Sequence, residues 1–252
     1  MRSVFLLAPV LCLIGFAQDR RPAVVVELFT SEACSNCPPA DEMLDRLERS
    51  VSNVHVIALE EHIDYWNNTG WTDRFSAPIF HARQNDYALF FQNTSIFTPQ
   101  MVVNGHVQFV ADDATRATYE INHAATSTQY AVRLQPQRSA KDPSLTDLSI
   151  YVKNNGPNKP TPSDVYLAIS EDRLTSNVRS GENAGRMLRH GPVVRSFGVI
   201  GNIEARAFNE VGLKSTLKIP AEWNADHLRA VVFIQEHRSR QIIAAAVTSL
   251  KN

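Results

Sequence analysis

Cysteine is scarce in this 252-residue chain: there are three, and with Cys12 inside an apolar N-terminal stretch only Cys34 and Cys37 remain for the rest of the protein. So few exclude a disulfide-stapled scaffold, and the lack of a second cysteine pair argues against a zinc-ribbon type of site. An excess of charge of one sign is also missing. The formal net charge is −1 with acids and bases interspersed, which leaves no electrostatic footprint for nucleic acid or an anionic membrane surface. Long hydrophobic runs are absent too: the stretch Val4 to Phe16 falls well short of the roughly 20 residues that span a bilayer, so no membrane span is expected in the mature chain. With Arg2 before it and Gly15-Phe16-Ala17 at its end, that stretch reads as a signal peptide over residues 1–17, cleaved near Ala17, and predicts a secreted or periplasmic protein. No internal repeat stands out, no cofactor is expected, and nothing signals an oligomeric state.

What is present is ordered punctuation. Ala23 to Phe29 is a continuous β-branched and apolar run, the pattern of a strand buried on both faces of a parallel sheet. It leads into Cys34-Ser35-Asn36-Cys37, after which Pro38 and Pro39 are tolerated only in a first helical turn. Ala40, Leu44, Leu47 and Val51 follow at helical spacing, with Asp41 and Glu42 at the positive end of the dipole. Val54 to Leu59 predicts a second strand, which completes a right-handed strand–helix–strand unit and brings Glu60 to Trp66 out beside the cysteines. Ser76 and Pro78 mark the start of another helix; Met101 to Val103 and Val107 to Val110 form a hairpin through Asn104-Gly105; a last helix begins at Asp113, with Ala117, Ile121 and Ala125 on one face. From Gln129 the pattern changes to seven short strand-like runs, at Tyr130, Leu148, Val165, Val193, Leu217, Leu228 and Ile242, separated by turn-rich segments. That is an all-β pattern, most simply a sandwich.

The cysteine pair carries the chemistry. A two-residue spacing closes too short a loop for a bridge to stabilise much, whereas a sulfur at a strand-to-helix junction is favoured as thiolate by unpaired amides and the helix dipole. Cys34, nearer the surface, would attack and Cys37 would resolve the mixed disulfide. His62 either tunes the Cys34 thiolate, oriented by Asp64, or satisfies loop amides while Tyr65, Trp66 and Trp71 pack as an aromatic cluster. Arg186, Arg189 and His190 form either a basic recognition surface or a solvated loop.

The order of elements, the cysteine pair and Thr98-Pro99 before a strand together resemble the thioredoxin superfamily over residues 23–126. More narrowly, the chain is similar to the secreted thioredoxin-like family of unknown function numbered 1223. The similarity rests on Val26 to Ser31, Cys34 to Asp41, His62 to Trp66, Thr98 to Gly105, Gly181-Glu182-Asn183 and Leu188-Arg189-His190. The resemblance implies an α/β thioredoxin-like N-terminal domain (18–128) followed by an all-β sandwich-like C-terminal domain (129–252). It also implies a cis-proline at Pro99 facing the cysteines, and a buried acid, Glu27, relaying protons to Cys37. Ala33 stands where tryptophan often precedes the first cysteine and Ser35-Asn36 replaces Gly-Pro, so neither potential nor partner carries over. The site residues expected from sequence are thus Cys34, Cys37, Thr98, Pro99, Glu27 and His62. The leading function is thiol–disulfide exchange with protein or small-molecule thiols and disulfides. The alternatives are a copper or other metal module built from Cys34, Cys37 and His62, and a non-catalytic interaction protein with a static bridge.

Overall fold

The computed structural model describes residues 21–124, 129–140, 142, 144–157, 159–204 and 208–251; the expected signal peptide and most of the expected boundary at 126–129 lie outside them. The β-branched run forms β1 (Ala23–Thr30), buried from Val24 onward, and pairs in parallel with β2 (His55–His62) across α1 (Pro38–Ser50). Pro38 and Pro39 open α1, where proline's missing amide forfeits no hydrogen bond. α2 (Pro78–Phe90) takes Ala77 rather than Ser76 as its N-cap, because the Ser76 hydroxyl donates instead to the Asp73 carbonyl. β3 (Gln100–Val103) lies antiparallel to β1, returns as β4 (Val107–Val110), and is followed by α3 (Ala114–His123), capped by Asp113; Ala125 is outside the described residues. The hairpin depends on positive φ at Asn104 and Gly105, 45° and 69°, and a Cβ on Gly105 would lie 2.1 Å from the Arg240 carbonyl oxygen, so only glycine fits.

The second half contains β5 (Tyr130–Arg138), β6 (Leu145–Asn154), β7 (Ser163–Glu171), β8 (Thr175–Asn177), β9 (Met187–Arg189), β10 (Val193–Ile203), β11 (Glu210–Lys218), β12 (Leu228–Glu236) and β13 (Ile242–Ser249). Their arrangement overturns the expected fold class. An α/β thioredoxin-like domain followed by a separate β-sandwich would keep two independent sheet systems. Instead β7, β10, β12 and β13 continue the N-terminal sheet, giving one mixed eight-stranded sheet in the order β13-β12-β7-β10-β2-β1-β3-β4. The joint lies on β2: Val193 pairs in parallel with Glu60, and the Glu60 amide donates to the Pro192 carbonyl. An open strand edge is satisfied by any strand that reaches it, and hydrophobic periodicity does not say which one will. β5, β6 and β11 form a three-stranded sheet, and β8 pairs with β9.

Among the described residues, three cores hold these layers. Val26, Leu28, Leu44, Met101 and Ile121 pack the sheet against α1 and α3, and Leu148, Ile150, Val165 and Val232 join the three-stranded sheet to the β7–β12 face. The third core passes from one half to the other around α2, uniting Val25, Phe29 and Ile57 with Phe80, Tyr87, Val231 and Phe233. Among the described residues no helix is long and apolar enough to cross a membrane.

Candidate functional site

β1 feeds directly into the turn that carries the cysteines. Cys37 is the N-cap residue of α1 and is bonded to Cys34, with their Cα atoms 5.4 Å apart. The Cys34 amide donates to the Ser31 carbonyl and the Cys37 amide to the Cys34 carbonyl, which closes the turn. Thr98–Pro99 is a cis peptide bond. Gln100 stands opposite Phe29 in the antiparallel ladder, so Pro99 falls one step further, beside Thr30 where the strand enters the turn. Thr98 accepts a hydrogen bond from the Trp66 indole at 2.8 Å.

The expected exposure of Cys34 is not found. Cys34 is 2% exposed and Cys37 0%, while Ser35 and Asn36 at the tip are open to solvent. The cover comes from the connection between β8 and β9. The Asn183 side-chain amide donates to the carbonyls of Glu32 (2.8 Å) and Cys34 (3.0 Å), and Glu182 accepts from the Ser35 amide at 3.2 Å.

Glu27 lies on the other side of the sheet. Side chains alternate along a strand; Val26 and Leu28 face α1, and Glu27 faces α2, where it pairs with Arg83 and accepts from the Tyr87 hydroxyl. A buried acid on the α1 side is Asp41, one helical turn beyond Cys37. Burial raises its carboxyl to about 8, with Glu60 adding to the rise and His190 and His62 opposing it, and the Thr30 hydroxyl donates to it at 2.7 Å. A carboxyl with an unfolded value near 3.9 then keeps its proton in the native state alone between about pH 4 and 8, so the native protein loses stability as pH rises through that window. Asp41→Asn, which retains an acceptor for Thr30, should therefore gain stability relative to the unsubstituted protein as pH rises from about 5 to about 8. Denaturation midpoints at the two pH values check this, and a difference independent of pH would contradict a raised Asp41.

His62 ends β2 wholly buried among charged partners. Its Nδ1 faces Asp73 at 2.6 Å and its Nε2 faces Glu60 at 2.9 Å; the same Glu60 oxygen lies 2.8 Å from Nδ1 of His190, whose Nε2 is 3.3 Å from Glu32. Burial alone would lower both histidines, but the carboxylates outweigh it, lifting His62 well above its ordinary value and His190 to about 9. Burial would likewise raise Glu60, yet the two imidazoles hold it down at about 2. Asp64, expected to orient His62, pairs with His81 at 3.2 Å, and Asp73 takes that place. Tyr65 and Trp66 do pack together, whereas the Trp71 indole donates to Glu32. Arg186 and Arg189 are exposed, but His190 belongs to neither a basic surface nor a solvated loop. The sulfurs are bonded to each other, so no thiolate joins His62; the residues gathered with it are Glu60 and His190.

Sequence reasoning gives no site role to Glu32, Asp41, Glu60, Asp73 or Asn183, although Asp41 and Asn183 fall in stretches that carry the family resemblance. One signal was available: Glu60-Glu61-His62, which reads as a strand leaving for solvent, is the end of the strand itself, each residue 0% exposed.

Two solved structures share this fold over nearly its whole length. Protein AGR_C_4864 from Agrobacterium tumefaciens is 22% identical with a TM-score of 0.68, the alignment covering 93% of this chain and 97% of that one. HBP35 of Porphyromonas gingivalis is 15% identical with a TM-score of 0.70, covering 92% and 76%. No curated protein matches the chain. The family described as protein of unknown function DUF1223 matches residues 25–235, from β1 to near the end of β12, and the chain belongs to that family.

Proposed function

We propose that the protein is a thiol–disulfide oxidoreductase of an extracytoplasmic compartment, acting on protein or small-molecule thiols through Cys34 and Cys37, with the pair covered at rest by the segment around Asn183. The observation that carries this reading is a disulfide at the N-terminus of α1 with a buried acid, Asp41, one turn behind it, its carboxyl raised by burial. As a brace the bridge is weak, since closing so short a loop gains only about 2 kcal/mol in the chain-entropy picture. The leader-like residues 1–17 agree with an oxidising destination, where such a bridge persists.

In the oxidising direction a substrate thiolate attacks the Cys34 sulfur and the Cys34–Cys37 bond breaks. Cys37 leaves as a thiolate and takes the Asp41 proton; positions i and i+4 share one helix face, and a carboxyl near 8 matches a thiol near 8.5. The second substrate thiol then attacks its own sulfur in the mixed disulfide and releases Cys34. The substrate has lost two electrons to become a disulfide, and the pair holds them as a dithiol; the reverse sequence reduces a substrate. Asp41 thus takes the proton role expected of Glu27. Thr98 and Pro99 border the approach from the β3 side, and His62 acts at one remove by helping His190 keep Glu60 ionised close to Asp41.

Oxidation of a synthetic dithiol peptide in a glutathione buffer tests the reading. The oxidised protein should accelerate it, and Cys34→Ser should fall to the uncatalysed rate. Equal rates for the two proteins would refute the assignment.

A further inference from the structure

We infer that Glu60, His62 and His190 bind one divalent transition-metal ion of the zinc class. The site goes beyond the redox reading and uses neither cysteine. A carboxylate oxygen of Glu60 and one ring nitrogen from each histidine lie within 4.8 Å of one another, all three residues buried. With metal–nitrogen bonds of about 2.0–2.1 Å, adjacent donors in a tetrahedral site stand roughly 3.3 Å apart. The Glu60–imidazole separations of 2.9 and 2.8 Å therefore need to widen only slightly to admit an ion.

The surrounding groups are those that orient metal ligands. A metal-bound histidine ordinarily donates its other ring N–H to a carboxylate, and here Nδ1 of His62 faces Asp73 while Nε2 of His190 faces Glu32. The second Glu60 oxygen is held by the Gly191 amide at 2.6 Å. Each ring meets a carboxylate on both nitrogens, and both rings aim at one Glu60 oxygen with their centroids only 5.1 Å apart. An ion at that convergence takes the place of the inner proton of each ring, which is released to solvent, and leaves each ring one N–H for its outer carboxylate. It also accounts for His190 Nε2 and Glu32 Oε1, buried without a hydrogen bond although they face each other, since a small rotation of the ring on coordination aligns them. Two imidazoles and one carboxylate suit Zn²⁺ and its neighbours, whereas Cu(I) prefers sulfur. Because Glu60 and His62 end β2 and His190 follows β9, the ion would fasten the sheet to the segment that covers the disulfide.

The test is titration of the chelator-stripped, oxidised full chain with Zn²⁺ against a chromophoric chelator, with Co²⁺ as the spectroscopic probe. One equivalent should bind, X-ray absorption should count two imidazoles, and Asp73→Asn should weaken affinity about 10–100-fold. Cys34→Ser/Cys37→Ser should bind unchanged, which separates this site from the redox reading. No stoichiometric uptake, loss of uptake in the cysteine variant, or a bound Co²⁺ without imidazole ligands would overturn the inference. The ligand count on the unsubstituted protein decides the matter even if Glu60→Gln or His190→Asn fails to fold.

Discussion

Replacing Arg83 with methionine is expected to lower the unfolding free energy by about 3–5 kcal/mol, the cost of leaving one member of a buried ion pair without its partner. Arg83 is the polar centre of the third core. Its Nε donates to Glu27, and its terminal nitrogens reach Gln235 at 3.3 Å and Tyr87 at 3.0 Å. Its guanidinium carbon lies 4.8–5.4 Å from the ring centres of Tyr87, Tyr166, Phe197 and Phe233. Glu27 comes from β1, Tyr166 from β7, Phe197 from β10 and Phe233 from β12, so one side chain joins the two halves of the sheet. Methionine preserves volume but leaves Glu27 unbalanced next to Glu61, whose carboxyl is already raised well above its usual range by burial and then by Glu27. Arg83→Lys should rescue little, because an ammonium offers neither the planar fork nor the stacking surface. Urea denaturation measures the loss, and a change below about 1 kcal/mol would show that the cluster contributes no more than a surface pair.

Asn183→Ala should make the disulfide about 10- to 30-fold easier to reduce. Asn183 ties the cover to the turn through two side-chain hydrogen bonds, to the Glu32 and Cys34 carbonyls. Each contributes about 1 kcal/mol net, and every 1.4 kcal/mol changes an opening equilibrium tenfold. When opening and closing are fast, attack on a covered group follows the population of the open form. The rate of reduction by dithiothreitol, compared with that of the unsubstituted protein, reads the effect. An unchanged rate would mean that the segment does not limit access to Cys34.

The elements with strong local signals are the ones legible from sequence. The apolar run of β1, the paired prolines of α1 and the Asn104-Gly105 turn each state their conformation within a few residues. Sheet order is not local: β10 lies beside β2 because of an edge contact between Glu60 and Val193, far apart in the chain. Glu27 shows how one residue matters, since shifting a strand position by one moves a side chain to the opposite face, and spacing counted from the cysteines cannot detect that. Asp41 reads as a dipole partner because a carboxylate in a first helical turn ordinarily faces water; only the packing of Thr30 and Glu60 around it shows otherwise. Asn183 escapes for the same reason, as its partner Cys34 is 149 positions away.

Whether Cys34 and Cys37 exchange electrons with an external thiol is decided by equilibrating the native protein in a graded series of glutathione and dithiothreitol buffers, then trapping free thiols by alkylation. Two thiols should appear together in one reversible two-electron transition while the fold stays intact by circular dichroism. A bridge that yields only when the protein unfolds would mark it as a static brace and contradict the account.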